Sequence, residues 1–211
     1  MNDQLTIDTP RGLARVHLTL PDTTAPRAAL VLGHGAGGGV GAPDLQTAVR
    51  AATGLGLAAA LVEQPYRVAG RRSPAPAPAL DEAWAAVIGH LRAGVLAAMP
   101  VITGGRSSGA RVACRTATAT AATAVLCLAF PLLPPARAGS ARVPVTRLPE
   151  LEAVRVPVLI VQGSRDRFGM PPAGGQRTVV TVTGDHGLKT DQGALHNAIE
   201  HWLTAQTALT T

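Results

Sequence analysis

The sequence of 211 residues contains few charged and few aromatic side chains. Charged residues make up 15% and aromatic residues 2%, whereas about a quarter of an average soluble protein is charged. Such a composition excludes a highly charged disordered chain and a long coiled coil. Hydrophobic residues reach 46%, enough for a sizeable core built mainly from alanine, valine and leucine. The length predicts a single domain over residues 1–211.

Lysine is nearly absent, although the chain is basic. Lysine and arginine together number 19 against 13 acidic residues, which leaves a net charge of +6, and Lys189 is the only lysine. The arginines are scattered along the chain instead of forming one strip, and few aromatic rings are available to stack on bases. We therefore expect no nucleic-acid partner.

Cysteines and long apolar runs are equally scarce. Cys114 and Cys127 have no CxxC or metal-ligand spacing, which favours buried, reduced thiols. The first residues lack the basic region and apolar run of a secretion signal. The apolar stretches 55–62 and 121–130 are too short to span a bilayer. These features predict a cytoplasmic protein with no membrane partner, no metal and no cofactor.

Short apolar runs alternate with helical patterns, which predicts an α/β fold with a mostly parallel sheet flanked by helices. Asp44 is expected to cap the first helix. Two further helices are expected around 80–91 and 195–203, where apolar residues recur with helical spacing. The expected strands are residues 5–7, 14–20, 28–33, 57–62, 101–104, 124–130, 158–161 and 179–182.

Residues 105–109 read Gly-Arg-Ser-Ser-Gly between an expected strand and a helical stretch. This is the G-x-S-x-G pattern in the strand–turn–helix setting that presents a nucleophilic serine. The flanking positions must lack a Cβ because neighbouring backbone crowds such a tight turn. Ser107 is therefore the candidate nucleophile. Ser108 is the weaker candidate, since Arg106 and Ala110 flank it.

A serine nucleophile needs a histidine base and a carboxylate that orients the base. Asp166 and His186 each follow an expected strand, and chemistry in parallel sheets gathers at the carboxyl ends of the strands. Glu150 and Glu152 are alternatives for the acid, but they precede their strand and are expected at the opposite end. Asp166 and His186 are therefore the candidate acid and base.

Residues 33–38 read Gly-His-Gly-Ala-Gly-Gly after another expected strand. The segment fits the G-x-G-x-x-G pattern of a dinucleotide site, with Glu63 ending the next strand. However, further glycines and Pro43 delay the helix, so a pyrophosphate would lack a close helix N-terminus. The sequence favours an oxyanion loop, in which the amides of Ala36 and Ser108 bind the developing negative charge.

With these motifs the chain resembles the α/β-hydrolase superfamily. More narrowly, it resembles a small dienelactone-hydrolase-like branch that includes testis-expressed hydrolase-like proteins and the hydrolase-like subunit of a chromatin acetylation complex. The resemblance rests on segments 33–39, 65–66, 104–113, 163–169 and 185–189.

The resemblance implies Ser107 as nucleophile, Asp166 as acid and His186 as base. Two positions depart from the pattern of this branch. Relatives often have methionine at the position of Ser108 and glycine at that of Ala110, and dienelactone hydrolases proper use a cysteine nucleophile. These departures leave the implied fold unchanged and bear on the substrate.

The predicted function is hydrolysis of a small ester-like substrate, with a noncatalytic protein-binding module as the alternative. Many hydrolases insert a lid at the position of residues 132–156, but this interval provides for a loop and one small helix, so an open site is expected. Arginines near the site can attract an anionic group. The expected substrate contacts lie on the surrounding loops: His34, Tyr66, Arg67, Arg106, Phe168, Met170 and Lys189.

Overall fold

The computed structural model describes residues 2–21, 26–135 and 145–208. Within them, eight strands form one sheet: β1 (Asn2–Thr9), β2 (Gly12–Thr19), β3 (Ala29–Gly33), β4 (Ala58–Glu63), β5 (Val101–Arg106), β6 (Ala124–Leu128), β7 (Val158–Gly163) and β8 (Arg177–Val182). The helices of these residues are α1 (Pro43–Gly54), α2 (Pro65–Val68), α3 (Ala77–Ala93), α4 (Ser108–Thr116), α5 (Leu148–Glu152) and α6 (Gln192–Ala208).

The strands are ordered β1-β2-β4-β3-β5-β6-β7-β8 across the sheet. β2 is antiparallel to both β1 and β4, and every pairing from β4 to β8 is parallel. The predicted α/β architecture with a mostly parallel sheet is thereby confirmed. Since parallel strands end at the same edge, the loops after β3, β5, β7 and β8 lie together there.

The central strands β3 and β6 are apolar throughout because helices cover both faces of the sheet. Every residue of β3 and β6 is buried. Alternate residues of β3 face opposite sides: Leu30 and Leu32 join the core beneath α1 and α6, while Ala29 and Val31 join the core beneath α3. The sheet therefore separates two apolar layers, and the polar candidate residues lie at the edge where the parallel strands end.

Two local predictions need correction or extension. The first strand is longer than expected because β1 pairs with β2 over its whole length. Asp44 does not cap α1, which begins at Pro43 with Ala42 as N-cap. Proline is favoured at the first helical position because its φ is preset and its missing N–H has no intrahelical acceptor. Asp44 is therefore inside the first turn, fully buried.

Between β6 and β7 the described residues contain one short helix, α5. The predicted small helix in the interval 132–156 is therefore present, and residues 136–144 lie outside the described residues. Cys114 and Cys127 are buried and unbridged, with their Sγ atoms 3.5 Å apart. No helix among the described residues has the length and hydropathy needed to cross a membrane.

Candidate active site

Ser107 occupies a sharp turn between β5 and α4. Its φ is +52° and its ψ −107°, a left-handed conformation that is uncommon for residues other than glycine. The Ser107 amide donates a hydrogen bond to the carbonyl of Leu128 on β6, at 2.9 Å. The turn is thus held against the neighbouring strand, and the Ser107 side chain is left partly exposed.

The glycines beside this turn let two backbone segments touch. A Cβ on Gly109 would lie 2.3 Å from the carbonyl oxygen of Gly33, and one on Gly105 would lie 2.5 Å from the same atom. Real Cβ atoms do not approach backbone so closely, so both positions require glycine. The same contact brings the glycine-rich loop after β3 next to Ser107.

The loops after β7 and β8 bring an acid and a base to this serine. His186 Nε2 lies 2.9 Å from Ser107 Oγ, and His186 Nδ1 lies 2.8 Å from Asp166 Oδ2. An ionised carboxylate only accepts hydrogen bonds, so Nδ1 of a neutral ring donates and the lone pair of Nε2 faces the serine hydroxyl. The three residues that the sequence singled out are therefore within hydrogen-bond distance in the order that acyl transfer requires.

Asp166 is held by further donors. Its side chain is 1% exposed, its Oδ1 accepts the Phe168 amide at 2.9 Å, and its Oδ2 accepts Gln162 Nε2 at 2.9 Å. Gln162 is fully buried at the end of β7, and sequence reasoning missed it. One signal was available: Gln162 is the single polar residue in the segment Val-Leu-Ile-Val-Gln-Gly.

His34, a predicted substrate contact, is buried and supports the glycine-rich loop. It is 2% exposed, its Nδ1 donates to the Gly35 carbonyl at 2.8 Å, and its Nε2 accepts the Gln64 amide at 3.1 Å. Burial lowers the pKa of His34 below its usual value. Both ring nitrogens are therefore engaged by backbone in the neutral ring, which leaves none for a ligand.

The His34 contact orients the peptide that carries the first candidate oxyanion donor. The Gly35 carbonyl and the Ala36 N–H belong to the same peptide group, and this carbonyl also accepts the Gly38 amide at 3.2 Å. In a trans peptide the N–H points away from the anchored carbonyl. The second candidate, the Ser108 amide, is at the first residue of α4, where an N–H has no intrahelical acceptor.

Tyr66, another predicted substrate contact, also supports this loop. It is buried, its hydroxyl donates to the Ala36 carbonyl at 3.0 Å, and its ring meets the His34 ring edge-on. Burial raises the pKa of the Tyr66 hydroxyl. The phenol therefore remains a donor at neutral pH and fixes the peptide after Ala36.

Arg106, also a predicted substrate contact, directs its guanidinium toward protein groups. Its Nε lies 2.8 Å from Asp44 Oδ2, and its Nη2 donates to the backbone carbonyl of His186 at 3.1 Å. The Arg106 side chain is 19% exposed and the Asp44 side chain 0%. Burial raises the pKa of Asp44, while the Arg106 guanidinium opposes that rise.

The other four predicted contacts differ in position. The Phe168 ring packs edge-on against His186 with centroids 4.4 Å apart, so Phe168 does border the candidate site. Arg67 is half-buried, and its Nη2 would be 3.8 Å from a Cβ on Gly39, beside the glycine-rich loop. Met170 is exposed, with its sulfur 3.9 Å from the Thr181 hydroxyl on β8. Lys189 is exposed on the loop after His186.

The glycine-rich loop lacks the geometry of a dinucleotide site. α1 begins only at Pro43, after a turn through Gly39–Ala42, so its N-terminus does not follow directly on the glycines as that fold motif requires. Within the described residues, His, Cys, Asp and Glu side chains form no group of three that could hold a metal ion.

Comparison with known proteins identifies the architecture. The sequence model of the alpha/beta hydrolase domain family matches residues 26–210, whereas no curated protein sequence matches the chain. Among solved structures, XC6422 from Xanthomonas campestris, described as an α/β serine hydrolase without a lid, is 20% identical with a TM-score of 0.71. The match covers 95% of this chain and 94% of that one.

Two further structures extend the comparison. Est1E from Butyrivibrio proteoclasticus is 14% identical, with a TM-score of 0.78 over 97% of this chain and 99% of that one. The dienelactone hydrolase of Anabaena variabilis is 15% identical, with a TM-score of 0.72 over 99% and 97%. At such identities the likeness shows the fold, and the predicted α/β-hydrolase fold is confirmed.

Proposed function

Because the chain belongs to the α/β-hydrolase family, we propose that it is a serine hydrolase that cleaves a small ester-like substrate through an acyl-enzyme on Ser107. The substrate class comprises carboxylesters, thioesters and lactones. The observation that carries the proposal is the chain of hydrogen bonds from Ser107 Oγ through His186 to Asp166, at 2.9 and 2.8 Å.

Acylation begins when His186 Nε2 takes the proton of the Ser107 hydroxyl as Oγ attacks the substrate carbonyl carbon. Asp166 accepts from Nδ1 and stabilises the imidazolium that forms. The carbonyl oxygen becomes an oxyanion, which the amides of Ala36 and Ser108 bind. The imidazolium then protonates the leaving oxygen or sulfur as its bond to carbon breaks, and the acyl group remains on Oγ.

Deacylation repeats these steps with water. His186 takes a proton from a water molecule whose oxygen attacks the acyl carbon, the same amides bind the second oxyanion, and the returning proton releases Ser107 Oγ. The net reaction consumes one water and yields an acid and an alcohol or thiol. One oxyanion donor contributes about 3–4 kcal/mol of transition-state stabilisation in comparable enzymes.

The surroundings of the site favour a small or extended substrate. The described part of the interval before β7 contains only α5, and Ser107 is partly exposed. Phe168 offers an apolar surface beside His186. Arg67 lies beside the glycine-rich loop, where its positive charge attracts a substrate that bears a carboxylate or another anion.

The decisive experiment compares wild type, Ser107→Ala and Ser73→Ala. Wild type is expected to hydrolyse p-nitrophenyl acetate and to react with a fluorophosphonate probe, whereas Ser107→Ala does neither because the attacking oxygen is absent. Ser73→Ala is the matched control: Ser73 is exposed in the loop before α3, so activity and labelling persist. If folded wild type and Ser107→Ala hydrolyse a panel of esters, thioesters and lactones equally slowly, the chain is a noncatalytic module and the proposal fails.

A further inference from the structure

The side chain of Arg106 joins three segments that belong to different parts of the sequence. Its Nε faces Asp44 on α1, its Nη2 donates to the backbone carbonyl of His186, and its Nη1 lies against Gly35, where an added Cβ would be 2.9 Å away. Arg106 also directly precedes Ser107 in the chain. One guanidinium thus touches the loop that carries His186 and the loop that carries Ala36.

We propose that the half-buried Arg106 and the buried Asp44 form a pair of positioning residues that holds the His186 loop and the glycine-rich loop in register with Ser107. This inference rests on the proposed serine hydrolase function. Neither side chain touches the reacting atoms. Arg106 acts through the backbone of His186, and Asp44 acts through Arg106.

The planar guanidinium suits this task because its five N–H groups point in fixed directions. A lysine ammonium at position 106 can meet one of the partners but does not reproduce the fork. Asp44 fixes the fork in turn: its Oδ1 accepts the Leu45 amide at 2.9 Å, so its Oδ2 is presented to Arg106 from a rigid first helical turn.

Stability alone does not account for this pair. Exchange of a buried ion pair for apolar side chains of similar volume is often neutral or stabilising, because removal of both charges from water is costly. The Arg106 side chain donates one hydrogen bond to the backbone carbonyl of His186. The pair therefore secures the position of His186, which an apolar pair of the same volume does not.

Loss of the Arg106 contacts should lower kcat and leave KM nearly unchanged. In Arg106→Met the His186 loop loses its anchor, and misplacement of a reacting group by 1 Å can cost about 100-fold in rate. We expect kcat for p-nitrophenyl acetate to fall about 10- to 100-fold with KM nearly unchanged. Asp44→Asn is expected to act in the same direction, and Arg106→Lys to restore part of the loss.

Arg111→Met is the matched control. Arg111 is an arginine of similar exposure, 24% against 19%, and its Nη2 and Nε pair with Glu150 away from the site. This variant loses an ion pair on the same stretch of chain but keeps the His186 contact. It is expected to lose some stability and to keep the wild-type kcat.

A readout independent of turnover separates this inference from the proposed function. The ¹⁵N resonances of the His186 ring report its tautomer and hydrogen bonding, and they should shift in Arg106→Met and Asp44→Asn but not in Arg111→Met. If wild type hydrolyses no ester and these shifts occur, the proposed function fails and the positioning role stands. If wild type is active and both Arg106→Lys and Asp44→Asn keep its kcat and its ring resonances, the positioning role is overturned. The same holds if kcat falls equally in Arg111→Met. Should Arg106→Met not fold, Arg106→Lys and Asp44→Asn carry the comparison.

Discussion

Gly163→Ala is expected to lower the activity of the candidate site by displacing the loop that carries His186. Gly163 ends β7, and a Cβ there would lie 2.4 Å from the carbonyl oxygen of Asp185 and 2.8 Å from that of Gly184. Ordinary contacts of a Cβ begin at 3.4 Å, so the Asp185 backbone must retreat by about 1 Å. His186 is the next residue, and its ring moves with that backbone.

The expected magnitude follows from this displacement. A shift of 1 Å in a catalytic group can cost about 100-fold in rate, or about 2.7 kcal/mol of transition-state stabilisation. Overpacking of a filled site costs a further ~1–3 kcal/mol of folding free energy. The assay is kcat/KM for p-nitrophenyl acetate, measured beside urea unfolding so that the two effects are separated.

Gly37→Ala is the matched control for this prediction. Gly37 belongs to the glycine-rich loop, yet a Cβ there would meet no heavy atom within 4 Å. The control variant should therefore keep both activity and stability. A folded Gly163→Ala protein with undiminished kcat/KM would refute the reasoning, because it would mean that the close approach of β7 does not set the position of His186.

Three further predictions concern stability. The pKa of His34 is lowered by burial, so as pH falls below about 6.5 the unfolded chain gains the proton first, and wild type loses up to about 1.4 kcal/mol per pH unit. His34→Gln keeps an acceptor for the Gln64 amide and removes this pH dependence. The unfolding free energy is measured with urea at pH 5 and pH 7, and an equal loss between the two pH values in wild type and His34→Gln would contradict the prediction. Tyr66→Phe removes the donor to the Ala36 carbonyl and should lower the urea-derived unfolding free energy by about 0.5–1.5 kcal/mol; an unchanged value would contradict that loss. Gly89→Ala fills open space on the exposed face of α3 and should raise the unfolding free energy by about 0.5–1 kcal/mol, whereas a fall would count against the helical assignment.

The parts of the molecule that are predictable from the sequence depend on local patterns. A run such as residues 158–161 is apolar at every position because helices cover both faces of its strand, so the strand is recognisable without its partners. Ser107 is recognisable because a tight turn needs glycines on both sides of it. Asp166 and His186 follow from the rule that parallel strands end at one edge. Their placement near Ser107 can be predicted once the order of the strands is known.

The direction of a side chain is not a local property. His34, Tyr66 and Arg106 all lie at or just after the carboxyl end of a strand, and the sequence therefore suggested contacts with substrate. In the structure each binds backbone instead: His34 and Tyr66 contact carbonyls of the glycine-rich loop, and Arg106 donates to the carbonyl of His186. Asp44 left no signal for its role either, because its partner Arg106 is distant in the chain. The single-domain organisation and the lack of a nucleic-acid partner stay predictions.

The buried polar residues of this protein indicate that its candidate site is preorganised at a cost in folding free energy. Apart from threonines, the buried polar or charged residues in the described ranges are His34, Asp44, Gln64 and Gln162. Each belongs to a hydrogen-bonded or ion-paired group that supports the candidate oxyanion loop, His186 or Asp166. Burial of a polar group costs free energy unless its partners are ideal, so a core of alanine, valine and leucine would be simpler without them. All four residues lie near the edge of the sheet that carries the candidate site. This placement is expected where rigidity of a site is gained at the expense of folding stability. Gln162→Leu should accordingly lower both kcat and the unfolding free energy, because it removes a donor to the Asp166 carboxylate and to the backbone carbonyls of Phe130 and Gly169. The checks are kcat for p-nitrophenyl acetate and urea unfolding, and unchanged values of both would contradict this role of Gln162.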